Sequence, residues 1–94
     1  MNMKFEWDEQ KRRRNIAKHK IDFVDVSSVF DGPMVVWQDT REDYGEDRWI
    51  GIGFLRNILV VIVYNEVDDE TTRLISVRKA NRNDRKTFRS QVRN

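Results

Sequence analysis

The stretch Arg48-Trp49-Ile50-Gly51-Ile52-Gly53-Phe54-Leu55-Arg56-Asn57-Ile58-Leu59-Val60-Val61-Ile62-Val63-Tyr64-Asn65-Glu66 decides the fold. Its first half alternates: Arg48, Ile50, Ile52 and Phe54 share one face, and Trp49, Gly51 and Gly53 share the other, the two-residue period of a strand. Arg56-Asn57 is a tight turn. Ile58 to Glu66 is rich in β-branched residues and reads as a central strand, buried on both faces. A strand, a turn and a strand make an antiparallel pair, and the sheet grows outward from it.

On the C-terminal side, Val67 to Thr71 is a second turn and Thr72 to Ala80 a further strand. Plain alternation there puts Leu74, Ser76 and Arg78 on one face and Arg73, Ile75, Val77 and Lys79 on the other. Asn81 caps a last helix, with Asp84 at the capping-box position and only Phe88 and Val92 apolar. On the N-terminal side, Met34 to Asp39 is a strand, and Thr40 to Asp47 is an acidic loop. Phe23, Val26, Val29 and Phe30 form the buried stripe of a helix that Asp22 caps and Asp31-Gly32-Pro33 ends. Earlier still, Met3 to Trp7 alternates as a short strand. Asp8 caps a wet, basic helix reaching about His19. The order is β-α-α-β-β-β-β-α. It predicts an α+β architecture: a four-stranded antiparallel sheet plus a short N-terminal strand, two N-terminal helices and one C-terminal helix. The chain of 94 residues is expected to form one domain over its whole length.

Charge is segregated. Residues 1–20 carry seven Lys/Arg against three Asp/Glu, residues 21–72 three against twelve, and residues 73–94 eight against one, so blocks of +4, −9 and +7 hide in a net +2. Fields of one sign attract polyanions, and basic runs at both ends favour RNA. There is no cysteine, which excludes disulfides and thiolate metal sites. Residues 1–7 do not read as a signal peptide, and the apolar run from Ile58 to Tyr64 is far too short to cross a bilayer. A cytoplasmic protein without membrane association is expected. No cofactor or metal is expected: zinc needs several His or Cys, and there is one His.

His19 is the one side chain whose free pKa lies near neutrality, so it is a candidate acid or base. A histidine ending a helix also interacts favourably with the dipole, which raises its pKa and offers a purely structural reading. Arg48 and Arg78 have two readings as well. They grip a phosphate from an open sheet face, or they pair with carboxylates of the acidic middle. RNA cleavage without metal needs little more than such groups. The substrate's own 2′-hydroxyl attacks, and the protein aligns it and neutralises charge. Tyr64 either stacks a base or belongs to the core.

The chain resembles the BrnT family, toxins of the BrnT–BrnA type II toxin–antitoxin pair. The resemblance runs along nearly the whole length. It rests on Phe5-Glu6-Trp7-Asp8 with Lys11, on Asn15 and Lys18-His19 with Phe23 four residues on, and on Val29-Phe30-Asp31. It continues through Asp47-Arg48 leading to Ile52-Gly53, and Arg73-Leu74-Ile75-Ser76-Val77-Arg78-Lys79-Ala80. It implies a RelE-like fold and endoribonuclease activity that inhibits translation. It also implies an RNA substrate, neutralisation by a BrnA-like antitoxin with a DNA-binding domain, and contact with operator DNA only through the toxin–antitoxin complex. On the matching positions it makes His19, Arg48, Arg73 and Arg78 catalytic candidates. Lys11, Lys18, Lys79 and Arg82 are the RNA-binding candidates of the basic ends. The chain departs from the family at Lys20, where Gly is usual after Lys-His, at Val77 for Ala, and at Asp47, where Glu is commoner. Against the toxin stand a non-catalytic nucleic-acid-binding regulatory module, which the same basic ends would serve, and a toxin-like scaffold for protein contacts. In each nucleic-acid reading, the Thr40–Asp47 and Asp68–Glu70 loops are expected to lie away from the RNA.

Overall fold

The computed structural model describes residues 3–92. Its elements are β1 (Lys4–Trp7), α1 (Glu9–His19), two 3₁₀ turns (Phe23–Asp25 and Ser27–Asp31), β2 (Met34–Gln38), β3 (Trp49–Leu55), β4 (Ile58–Asp68), β5 (Thr71–Lys79) and α2 (Arg82–Val92). The five strands lie in the order β1-β5-β4-β3-β2. Strands β2 to β5 are antiparallel, as the alternation and turns predict. β1 adds to the far edge as a parallel strand, Lys4 opposite Thr71 through Trp7 opposite Leu74. No helix among the described residues is long and apolar enough to cross a membrane.

The caps follow the sequence. The Asp8 carboxylate accepts from the backbone N–H groups of Gln10 and Lys11 at 2.8 and 3.1 Å. At α2 the box is reciprocal: Asp84 N–H donates to Asn81 Oδ1 at 2.9 Å and Asn81 N–H donates to Asp84 Oδ2 at 2.8 Å. Each bond satisfies an orphan donor of a first turn.

The expected second helix is instead a pair of 3₁₀ turns. Phe23, Val26 and Val29 recur every three residues, which is the 3₁₀ repeat, and all three are buried, at 1, 0 and 1 % exposure. Together with Ile21 they cover one face of the sheet over Leu55, Val60, Ile62, Tyr64, Leu74 and Val77. The approach is close at Gly53, where a Cβ would stand 2.8 Å from Val29 Cγ1, so this strand glycine is a packing requirement. On the other face, Phe88 of α2 packs with Ile50, Ile52, Val61 and Ala80. α2 covers only part of that face, and the remainder carries the candidate site.

Candidate active site

Strand β5 does not keep the predicted alternation. Tyr64 is paired with Leu74, but the preceding Val63 is paired with Ser76, so Ile75 is an extra residue, a β-bulge. Leu74 and Val77, three apart, are therefore both buried in the same cluster. The bulge turns Ser76 and Arg78 onto the face opposite. Cross-strand pairing then builds two rows on that face: Trp37, Ile50, Val63, Ser76, and next to it Val35, Ile52, Val61, Arg78.

Helix α1 lies along the edge of β5 that β1 leaves free beyond Trp7. Buried Asn15 fixes it there. Its Oδ1 accepts from Val77 N–H at 2.9 Å, and its Nδ2 donates to Ile21 C=O at 2.9 Å. Arg12 reinforces the dock with two bonds to the Asp22 carboxylate, 2.8 and 3.0 Å. α1 ends at His19, and Lys20 takes the left-handed cap conformation with φ 62°. Gly adopts that conformation without strain, but Lys20 takes it too, its backbone N–H donating to Ile16 C=O. Burial lowers the His19 pKa first, and the positive charges of Lys18 and Arg78 lower it further. This is opposite in direction to a simple helix-end histidine: lost solvation and two cations outweigh the dipole.

Two adjoining cavities share Ser76. One, of about 300 Å³, is lined by Lys11, Arg14, Asn15, Lys18, His19, Arg48, Ile75 and Ser76, with no carboxylate in its wall. The other, of about 330 Å³, has Ile50, Val61 and Val63 as an apolar floor and Trp37, Thr40, Arg78 and Asp84 in its walls. Arg48 stands over the Tyr44 ring, 4.0 Å from its centroid, and its Nε donates to Glu46 at 3.2 Å. Asp39, whose side chain is 0 % exposed, accepts two bonds from the Arg41 guanidinium at 2.8 and 2.7 Å. Those bonds, with the Tyr44 hydroxyl, hold its carboxyl well below the usual carboxylate range. Arg78 Nη1 donates to Asp84 at 2.7 Å. The carboxylate on Arg78 thus comes from the α2 cap rather than from the acidic middle, whereas Arg48 does take its partner from the middle.

The structure gathers Lys11, Lys18, His19 and Arg48 around one cavity and sets Arg78 in the next. It keeps three candidates apart. Arg73 is bound to Glu6 of β1 at 2.6 Å and lines neither cavity. Lys79 is opposite Val60 in the sheet and lines a separate cavity with Lys20 and Asp22. Arg82 is exposed at the start of α2. Tyr64 is core, its phenol pushed up to about 12, mainly by burial. The Thr40–Asp47 loop does not stay away: Thr40 and Arg41 wall the second cavity and Glu46 holds Arg48. The Asp68–Glu70 turn lies beside Lys4 in a cavity of its own. Sequence reasoning missed Arg14, Ser76 and Trp37. Arg14 was legible as one helical turn from Lys11 and Lys18; the other two depend on the bulge and on pairing across four strands. Among the described residues, no three His, Cys, Asp or Glu side chains are grouped to hold a metal ion.

Comparisons with known proteins identify the family. A family model described as the ribonuclease toxin BrnT of type II toxin–antitoxin systems matches residues 7–84. The crystal structure of the Brucella abortus ribonuclease toxin BrnT superposes with a TM-score of 0.71 at 35% identity, covering 86% of this chain and 100% of that one. No curated protein matches the chain. A model spanning most of the length, together with a full-length structural match, establishes that the chain belongs to the BrnT family of ribonuclease toxins of type II toxin–antitoxin systems.

Proposed function

We propose that this protein is a metal-independent endoribonuclease that cuts RNA at the two joined cavities, inhibits translation in the cytoplasm, and is silenced by a cognate antitoxin. The observation that carries the reading is the grouping of His19 and Arg48 in a cavity without carboxylates, joined through Ser76 to the cavity that holds Arg78. His19, with its lowered pKa, is largely neutral near pH 7 and takes the proton of the 2′-hydroxyl as that oxygen attacks the adjacent phosphorus. The bond to the 5′-oxygen breaks, and a solvent proton completes the departing alcohol. The products are a 2′,3′-cyclic phosphate and a 5′-hydroxyl end. Arg48 exchanges Glu46 for phosphoryl oxygens, and Arg78, held on Asp84 through Nη1, offers its other N–H groups, so that both stabilise the developing charge. Lys11, Arg14 and Lys18 hold the neighbouring backbone. Arg73, Lys79 and Arg82 act at longer range, through the field that draws the polyanion in.

The cationic face is also the surface an antitoxin must cover to stop the enzyme. A BrnA-like partner with a DNA-binding domain fits that role, and operator DNA is then reached only through the complex. The test is to incubate pure protein with end-labelled RNA in EDTA, beside His19→Ala and Arg78→Ala at equal folded abundance. Cleavage that survives chelation and falls about 10²- to 10³-fold in either variant is expected. Intact RNA that is bound in a salt-sensitive way would instead make the protein a nucleic-acid-binding module.

A further inference from the structure

We infer that the Trp37 cavity is a nucleobase subsite, in which the Trp37 ring stacks the base next to the scissile phosphate and so sets sequence preference. This rests on the ribonuclease reading of the neighbouring His19 cavity and adds to it a specificity-determining residue.

Three observations carry it. Trp37 remains 39 % exposed and belongs to neither core cluster. Trp7 and Trp49, by contrast, pack against the larger cluster. Among the described residues Trp37 pairs with no other ring, although Phe5, Phe30, Tyr64, Trp7, Phe23, Phe54 and Phe88 all do. Its place is nevertheless fixed, because it stands at one end of the row Trp37, Ile50, Val63, Ser76. Three strand spacings separate the ring's strand from Ser76, roughly 14 Å, with a floor of two aliphatic side chains between.

The chemistry of the cavity changes along that row. Around Ser76 stand the cations that suit a phosphate; beside Trp37 are an aromatic wall, the aliphatic floor, the hydroxyl of Thr40 and the mutually paired Asp39 and Arg41. A nucleotide has the same polarity, anionic at one end and flat and apolar-faced at the other. The volume of about 330 Å³ lies at the low end for small-molecule sites, which suits a base better than a larger group. Two carboxylates line the cavity, and both are paired, Asp39 with Arg41 and Asp84 with Arg78, so neither presents a bare negative charge to the incoming strand. Stacking is tolerant of base identity, so preference comes from the hydroxyl of Thr40 on the rim reading the base edge.

The experiment uses a hexanucleotide with 2′-O-methyl sugars, which lacks the attacking hydroxyl, made abasic at each position in turn. Binding is measured to the parent, Trp37→Phe and Trp37→Leu proteins. The parent should show one position at which removing the base weakens binding about 5- to 100-fold. Trp37→Phe should keep most of that penalty. Trp37→Leu, which preserves apolar bulk but no ring, should bind the intact oligonucleotide more weakly by a similar factor and show no further penalty at that position. If Trp37→Leu binds as the parent does, or retains the full abasic penalty, the subsite is disproved. An all-ribose oligonucleotide separates the two readings. Uncleaved RNA with the coupling intact sinks the ribonuclease alone; cleaved RNA without coupling sinks the subsite alone.

Discussion

Replacing Asn15 by Ala should unfold much of what makes the site. The side chain is buried and makes two bonds that reach different elements, Val77 N–H in β5 and Ile21 C=O beyond α1, each 2.9 Å long. Alanine leaves both backbone groups without their partner. An unsatisfied buried polar group costs about 1–3 kcal/mol, and some water entry at the helix edge lowers the sum, so about 3 kcal/mol is expected in total. A domain of this length has roughly 5–14 kcal/mol to lose, and the melting temperature should fall by about 12–24 °C. Urea unfolding with unchanged slope is the measurement. Asn15→Asp should be no better: the carboxylate still accepts from Val77 but cannot donate to the Ile21 carbonyl. Because α1 is held by this contact, RNA cleavage by the folded fraction should drop as well, with His19 no longer held in the cavity it shares with Ser76. A midpoint shift equivalent to less than about 0.5 kcal/mol, below the net value of even one ordinary hydrogen bond, would refute the claim that Asn15 clamps the helix to the sheet.

Other outcomes are as specific. His19 should titrate below its ordinary value of 6.5 in the free protein, and its pKa should rise when a nucleotide phosphate offsets Lys18 and Arg78; ring-proton NMR shifts against pH would read both. Because the folded pKa is the depressed one, the unfolded chain binds the extra proton. This histidine therefore lowers stability as pH falls through about 6.5, and denaturant midpoints at pH 7.5 and 5.5 in the parent and His19→Gln should differ accordingly. Asp39 has the opposite sign. Its carboxyl is depressed by Arg41, so its contribution is present above pH 3.8 and disappears as acid protonates it; Asp39→Asn should flatten the acid limb of the stability curve. Lys20→Gly should raise stability by about 0.5–1 kcal/mol, because it removes a left-handed non-glycine residue at the cap; a calorimetric melting point that is unchanged or lower would count against strain at Lys20.

The antiparallel sheet was legible because Ile50, Ile52 and Phe54 alternate cleanly and Ile58 to Tyr64 is continuously apolar. Helix ends were legible at Asp8 and at Asn81 with Asp84, where the capping groups sit at fixed spacing. The 3₁₀ segment was readable too, had the three-residue interval of Phe23, Val26 and Val29 been preferred to the pairing of Val29 with Phe30. The site was harder. One inserted residue, Ile75, reverses which side chains of β5 share a face, and no local composition marks it. Arg73 carries the same charge as Arg78, but only the parallel register of β1 brings Glu6 against it. Direction of titration was also out of reach for His19, since it depends first on burial, which only the docking of α1 decides, and then on Lys18 beside it and Arg78, 59 positions away in sequence.

The parallel pairing of β1 with β5 has a consequence for the life of the chain during synthesis. Glu6 and Arg73 meet across 67 positions, and the strand that receives β1 also presents Ser76 and Arg78 to His19. Closing so long a loop carries an entropy penalty that only late contacts repay. A nascent chain that stops before Thr71 therefore lacks the strand on which α1 docks, and with it Ser76 and Arg78 of the candidate site. The cell that makes this toxin is exposed to it only after the last strand has left the ribosome.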